Sequence, residues 1–237
     1  MNDESSGPSR RAVLAATGTA LSAGLAGCSG LSGEVTLDSE RATVAEPALR
    51  ETRYEEAGIT TVPFERRVTL GPASRTIRVT NVIAEYDRRV GLDAGLGLPT
   101  DARAAVFATF ATPAVEVFGR TLNPVGDLSP AELAELVQQH YGSIRDLSRE
   151  GELRGTMLGE STTLTRFTAR AELLTAGVAS TELPIYLYVG EPVRSGPDFT
   201  LTTAAHPQAF GRRESAVRTL LGGVQHATPT ATGTGAN

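Results

Sequence analysis

Three segments in the second half of the chain decide the predicted fold: TLTRFTARAEL at 163–173, LPIYLYV at 183–189 and FTLTT at 199–203. Apolar and polar residues alternate in each segment, which is the period of a β-strand with one buried face. Arg194-Ser195-Gly196-Pro197 supplies turn chemistry between the last two segments. The three segments are therefore predicted to form an antiparallel meander.

A second pair of strands is predicted earlier in the chain. Residues 61–70 alternate, and residues 76–86 alternate again with a change of parity that indicates a bulge or a strand buried on both faces. The turn residues Gly71-Pro72-Ala73-Ser74 lie between them. These two segments are predicted to form a hairpin. The apolar face of its first strand carries Val62, Phe64, Val68 and Leu70.

Helices are predicted at three places. Ser129, Pro130 and Glu132 have the spacing of an N-cap, a proline at the first helical position and a capping box. Residues 47–56 and 213–224 have weaker helical patterns. Because strands and helices occur in runs and do not alternate strictly, we predict an α+β fold, with helices packed on an antiparallel β-sheet.

The amino terminus carries the layout of an export signal. Arg10 and Arg11 directly precede an apolar stretch, residues 12–27, as in twin-arginine signal peptides. This stretch is shorter than the roughly 20 residues that span a bilayer. It ends in Leu25-Ala26-Gly27-Cys28, which resembles the lipobox of prokaryotic lipoproteins. The resemblance implies that Cys28, the only cysteine, receives a lipid after cleavage.

These signals divide the chain of 237 residues into four parts. Residues 1–27 are predicted to be a twin-arginine signal peptide, and residues 28–33 the lipidated cysteine with a flexible tether. Residues 34–226 are predicted to form a single globular domain, and the uncharged residues 227–237 a disordered tail. A membrane lipid attached through Cys28 would hold the domain on the extracytoplasmic face of the cell membrane.

All 22 basic residues are arginines, and the formal net charge is -5. The absence of lysine has two readings that stay open, adaptation to concentrated salt and GC-rich codon usage. No basic stripe is present, so nucleic acid is not an expected partner. The whole chain resembles the uncharacterised lipoproteins that halophilic archaea export. The resemblance rests on the missing lysine, Arg10-Arg11, residues 25–28, Val79-Thr80-Asn81 and Ala204-Ala205-His206-Pro207.

The order of predicted elements in the second half is similar to that of PsbP-like domains: a helix, a long strand, two further strands and a closing helix. This similarity lies in the pattern of elements, so no functional residue is carried over from it.

The sequence contains few signs of catalytic chemistry. It has no Gly-x-Ser-x-Gly motif, and the lipid would consume Cys28. The three histidines are far apart, so no metal and no cofactor are predicted. We expect His140 to be a core residue, His206 to serve a turn or a cap, and His226 to be solvated.

Four residues are candidates for a ligand pocket. Arg66 and Asn81 interrupt apolar strand faces, so each is either a structural polar group or part of a pocket interior. Tyr186 and Tyr188 stand two residues apart on one strand face. Such a pair either binds sugars or protein partners, or covers a sheet beneath a helix.

The leading functional hypothesis is a non-catalytic binding or assembly module at the cell envelope, with an envelope protein or a glycan as partner. The alternative is a small extracytoplasmic hydrolase with a nonstandard active site.

Overall fold

A computed structural model describes residues 32–70, 73–89, 103–117, 120–121, 128–141, 143–175 and 178–227. The α-helices within them are α1 (Glu46–Thr52), α2 (Pro130–Tyr141) and α3 (Glu214–Gly222). The strands are β1 (Ser32–Asp38), β2 (Ala42–Val44), β3 (Glu55–Leu70), β4 (Ala73–Arg89), β5 (Arg103–Pro113), β6 (Glu116–Val117), β7 (Arg120–Thr121), β8 (Ile144–Met157), β9 (Glu160–Thr175), β10 (Val178–Gly190), β11 (Val193–Ser195), β12 (Asp198–Pro207) and β13 (Val224–His226).

A mixed sheet of nine strands forms the body of the described structure, in the order β1-β4-β5-β12-β10-β9-β8. β3 pairs with β4, and β11 pairs with β12. β1 runs parallel to the first half of β4, from the pair Ser32 and Ser74 to the pair Asp38 and Thr80. The second half of β4 pairs antiparallel with β5. The long strand β4 therefore joins β1 to the rest of the sheet.

The prediction of an α+β fold with an antiparallel sheet is wrong. The described residues form a β-rich domain in which three short helices accompany the long strands, and the sheet is mixed because of β1. One reason is β8, which the sequence pattern does not reveal. β8 is paired with β9 alone among the described strands, and most of its side chains are exposed, so it shows little apolar alternation.

Both predicted groups of strands are confirmed. β3 and β4 form the hairpin, with Leu70 opposite Ala73. β9, β10 and β12 are neighbours in an antiparallel meander. Val82, Ile83 and Ala84 are consecutive and all buried, so this part of β4 is covered on both faces.

The predicted helix at Ser129 is confirmed together with its cap. The Ser129 N–H donates to Glu132 Oε2 at 2.8 Å, and the Glu132 N–H donates to Ser129 Oγ at 3.3 Å. The first helix ends at Thr52, four residues before the predicted boundary. Arg53 adopts a left-handed conformation with φ 61° there, and β3 begins at Glu55.

Different elements cover the two faces of the sheet. The first face carries Tyr86, Phe107 and Tyr188, and it packs against α1, α3, β2 and β13. The opposite face carries Phe167, Ile185 and Leu187, and it packs against α2. The polar groups described below lie mainly on the first face, beneath α3 and β13.

Several predictions fall on residues outside the described ranges. These are the signal peptide with Arg10 and Arg11, the lipobox from Leu25 to Cys28, and the tail after Ala227. Ser32 and Gly33, which the sequence assigns to the flexible tether, lie in β1.

Candidate functional site

The structure does not bring the four predicted pocket residues together. Arg66 lies in β3 opposite Ile77, and Asn81 lies in β4 opposite Val62, on the same face of the sheet by register. Tyr186 and Tyr188 lie in β10, on the opposite face. The side chain of Arg66 is outside the description, and Asn81 Oδ1 is buried without a hydrogen-bond partner among the described residues.

Tyr188 is part of a buried aromatic cluster. Its ring is fully buried and stacks on His206 of β12, with the ring centroids 5.7 Å apart and the planes inclined by 23°. Tyr186 contacts the same imidazole edge-on at 6.0 Å. The Tyr188 hydroxyl donates to the Arg212 carbonyl at 2.6 Å, in the segment before α3. The tyrosine pair therefore packs beneath a helix, as one of its two readings predicted.

His206 is held as a neutral base within this cluster. It is only 1% exposed, and its Nε2 lies 3.1 Å from the Gly211 carbonyl. A carbonyl only accepts hydrogen bonds, so Nε2 carries the proton. Burial lowers the pKa of His206 to about 4. The expected turn role fits the contact with Gly211.

Arg166 is the buried charge that sequence reasoning missed. It lies in β9 opposite Tyr188, and its side chain is 8% exposed. Nε donates to Glu150 at 2.8 Å and Nη1 donates to Glu214 at 2.7 Å, so β8 and α3 are both tied to β9. The guanidinium also lies 5.9 Å from the centroid of the Tyr188 ring. By alternation Arg166 shares a strand face with Arg170 and Glu172, and no local pattern marks it as buried.

Electrostatics around Arg166 are balanced within the cluster. Desolvation lowers the pKa of Arg166, but the hydrogen bond to Glu150 and the nearby Tyr188 side chain outweigh it, and the net pKa is raised. Arg212 also binds Glu150, at 2.6 Å, and this bond is the main cause that lowers the pKa of the Glu150 carboxyl. The charges thus satisfy one another, and the cluster is suited to joining α3 to the sheet.

A second buried pair of side chains joins β13 to β12. His226 Nε2 is 3.0 Å from Asp198 Oδ2, and the two side chains are 4% and 1% exposed. The prediction of a solvated His226 is therefore wrong, since pairing of β13 with β2 brings it under cover. The contact has the distance of an ion pair without the alignment of a hydrogen bond. The Glu40 N–H donates to the same Asp198 oxygen at 2.9 Å.

β12 carries further buried polar groups beside Asp198. Thr200 and Thr202 follow at intervals of two on the same strand face, and both are fully buried. Their hydroxyl oxygens and Asp198 Oδ1 have no hydrogen-bond partner among the described residues. An acid, an imidazole and two hydroxyls therefore lie buried on the same face of the described sheet.

An apolar cleft of about 140 Å³ lies on the opposite face, beside α2. Val137, Ile144, Ile185, Leu187 and Ala205 form its wall, and Ser143 and Glu172 add polar atoms. A cavity of this size accommodates a single aromatic ring or a short branched chain.

Two kinds of feature are absent from the described residues. No group of three or more histidine, cysteine, aspartate or glutamate side chains there could hold a metal ion. No helix within the described ranges is long and apolar enough to cross a membrane. The His140 side chain lies outside the description.

The fold is a β-rich domain. In its site the buried guanidinium of Arg166 binds the carboxylates of Glu150 and Glu214. Residues 41–225 match the family described as a domain of unknown function, DUF6517, and the chain belongs to this family. No curated protein and no solved structure shows significant similarity to the chain.

Proposed function

We propose that the protein is an extracytoplasmic lipoprotein of the kind that halophilic archaea export, and that its domain is a non-catalytic binding or assembly module. The observation that carries the proposal is the position of β1. Its first residue, Ser32, follows Cys28 by only four residues. A lipid on Cys28 would therefore be joined to the first strand of the sheet by a very short segment of chain, and it would hold the domain at the membrane surface.

The internal chemistry supports a binding role over a catalytic one. His206 is buried and neutral, and Arg166 is occupied by Glu150 and Glu214. A general base or a nucleophile must reach substrate atoms, and these groups are used in packing instead. The same contacts join α3 to the sheet.

Replacement of Cys28 tests the anchor. Cys28→Ser removes the only thiol that could carry a lipid, so the protein should appear in the medium. It would stay with the membrane only if the signal remained uncleaved, and would then run larger on a gel. Ser29→Ala is the matched control and should remain membrane-bound at the mature size. Membrane-bound Cys28→Ser protein of mature size after a high-salt wash would contradict the proposal.

The non-catalytic role is tested on the purified full-length protein at high salt. Incubation with ester, phosphate and glycoside substrates should give no turnover above that of a heat-denatured sample. Turnover that is lost in a His226→Gln variant would overturn this part of the proposal and favour a hydrolase built on the Asp198 and His226 pair.

A further inference from the structure

Part of the apolar face of β3 is exposed in the structure. The sequence pattern predicted that the face with Val62 and Phe64 packs into the core, yet Phe64 is 51% exposed. Its partner across the hairpin, Val79, is 7% exposed. Among the described strands β3 pairs with β4 alone, so it forms one edge of the sheet. Phe64 is a large aromatic side chain on an exposed edge strand, so it is accessible to a partner surface.

The register of the sheet places this strand close to the predicted anchor. Ser32 of β1 is opposite Ser74 of β4, which is opposite Thr69 of β3. Neighbouring strands lie about 4.8 Å apart, so Ser32 and Thr69 are separated by about 10 Å. The four residues from Cys28 to Ser32 span at most about 14 Å when fully extended. The end of β3 is thus held near any surface that binds Cys28.

The charge of the hairpin suits an anionic surface. Residues 64–78 contain four arginines and one acidic residue, Glu65, although the whole chain is negative. The register places positions 66 and 75 on the face of Phe64, where this segment has no acidic residue. Arg78 lies on the opposite face with both Glu34 and Glu65, to which it is paired. Arginine side chains favour anionic lipid headgroups at a membrane surface.

We propose that the β3 face carrying Phe64 docks on the bilayer surface, with Phe64 in the interfacial layer and the arginines at positions 66 and 75 on anionic headgroups. The proposal rests on the lipid attachment proposed for Cys28. Because the lipid on Cys28 would hold the chain on a bilayer, the bilayer surface would lie next to β3 even when the protein concentration is too low for two chains to pair. Pairing with a second copy is disfavoured, because Pro63 and the adjacent arginines 66 and 67 oppose edge-to-edge extension of a sheet.

A fluorescence experiment tests the docking directly. The chain contains no tryptophan, so Phe64→Trp creates a single reporter at the exposed face. The lipidated full-length protein is reconstituted in vesicles of phosphatidylglycerol and acyl-brominated phosphatidylcholine. Bromine atoms on the acyl chains quench only tryptophan side chains that enter the bilayer. Ile59→Trp and Leu136→Trp are matched controls, because both residues are exposed apolar positions, one on the other face of β3 and one on α2.

Phe64→Trp should show emission shifted to shorter wavelength and several-fold more quenching than either control. Flotation of the same vesicles separates the two proposals. Protein that fails to float lacks the anchor, which overturns the proposed function and this inference with it. Protein that floats but quenches equally at all three positions overturns the docking alone. A Phe64→Trp blue shift that is the same in detergent micelles as in vesicles, and that depends on protein concentration, would indicate pairing of two chains. That result would also overturn the docking.

Discussion

The carboxylate of Asp198 in β12 and the imidazole of His226 in β13 lie 3.0 Å apart, and the Glu40 N–H donates to the same carboxylate oxygen. Glu40 follows the amino-terminal strand β1, and His226 ends β13. One side chain of the inner strand β12 thus contacts both ends of the folded domain.

The first prediction concerns Asp198. Burial raises its pKa, although the Glu40 N–H and His226 act in the opposite direction. A carboxyl whose pKa is raised by folding contributes stability below its unfolded pKa, and this contribution is lost as the pH rises through the folded pKa. Asp198→Asn removes this titration and can still accept the Glu40 N–H bond.

Denaturant unfolding of both proteins between pH 4 and 7 checks this prediction. The free energy of unfolding of the wild type, relative to Asp198→Asn, should decrease as the pH rises. An increase over the same range would mean that attraction between Asp198 and His226 outweighs the cost of burying the charge.

The second prediction concerns His206. Its pKa is lowered from 6.5 to about 4 by burial, so folding favours the neutral form. Its contribution to stability is complete above pH 6.5 and is lost as the pH falls toward 4, by up to about 3 kcal/mol. His206→Gln lacks this titration.

Unfolding curves at several pH values should therefore show that the difference between the wild type and His206→Gln shrinks below pH 6.5. A difference that stays constant down to pH 4 would show that the imidazole titrates equally in both states.

The third prediction concerns the packing of α1 on α3. A Cβ on Gly223, at the end of α3, would lie 2.5 Å from Ala48 Cβ, and both positions are fixed by backbone. Gly223→Ala should therefore lower the free energy of unfolding by about 1–3 kcal/mol, as overpacked cores do.

Two variants control this measurement by thermal or chemical unfolding. Gly222→Ala should be neutral or stabilising, since its Cβ would lie 4.0 Å from the Thr156 carbonyl oxygen, an ordinary contact distance. Ala48→Gly added to Gly223→Ala should recover part of the loss. Equal effects of Gly223→Ala and Gly222→Ala would contradict the proposed contact.

The fourth prediction concerns export. Replacement of Arg10 and Arg11 by lysine keeps the positive charge but changes the geometry of the donor groups. If the twin-arginine route is used, full-length precursor should accumulate in the cytoplasm. Fractionation and immunoblotting detect this. Mature protein at wild-type level in the membrane fraction would exclude the route.

Local patterns were sufficient to predict much of the secondary structure. The capped helix at Ser129, the hairpin of β3 and β4, and the meander of β9, β10 and β12 depend on residues that are close in sequence. Capping, turn geometry and strand alternation act over a few residues, so they can be read without coordinates. The site was predicted less well. Of the four pocket candidates only Tyr186 and Tyr188 share a cluster, and its central charge, Arg166, was not predicted, because it lies on the more polar face of β9, which α3 covers.

The sequence by itself determined the hairpin of β3 and β4, the meander of β9, β10 and β12, the helix cap at Ser129 and the predicted route to the membrane. Only the tertiary structure decided that β1 runs parallel to β4, that β8 closes the sheet, and that His226 reaches Asp198. The same holds for Arg166, which joins Glu150 and Glu214 across 16 and 48 positions of the chain. Contacts at such separations depend on which elements become neighbours in space, and the periodicity of a single segment carries no information about its neighbours.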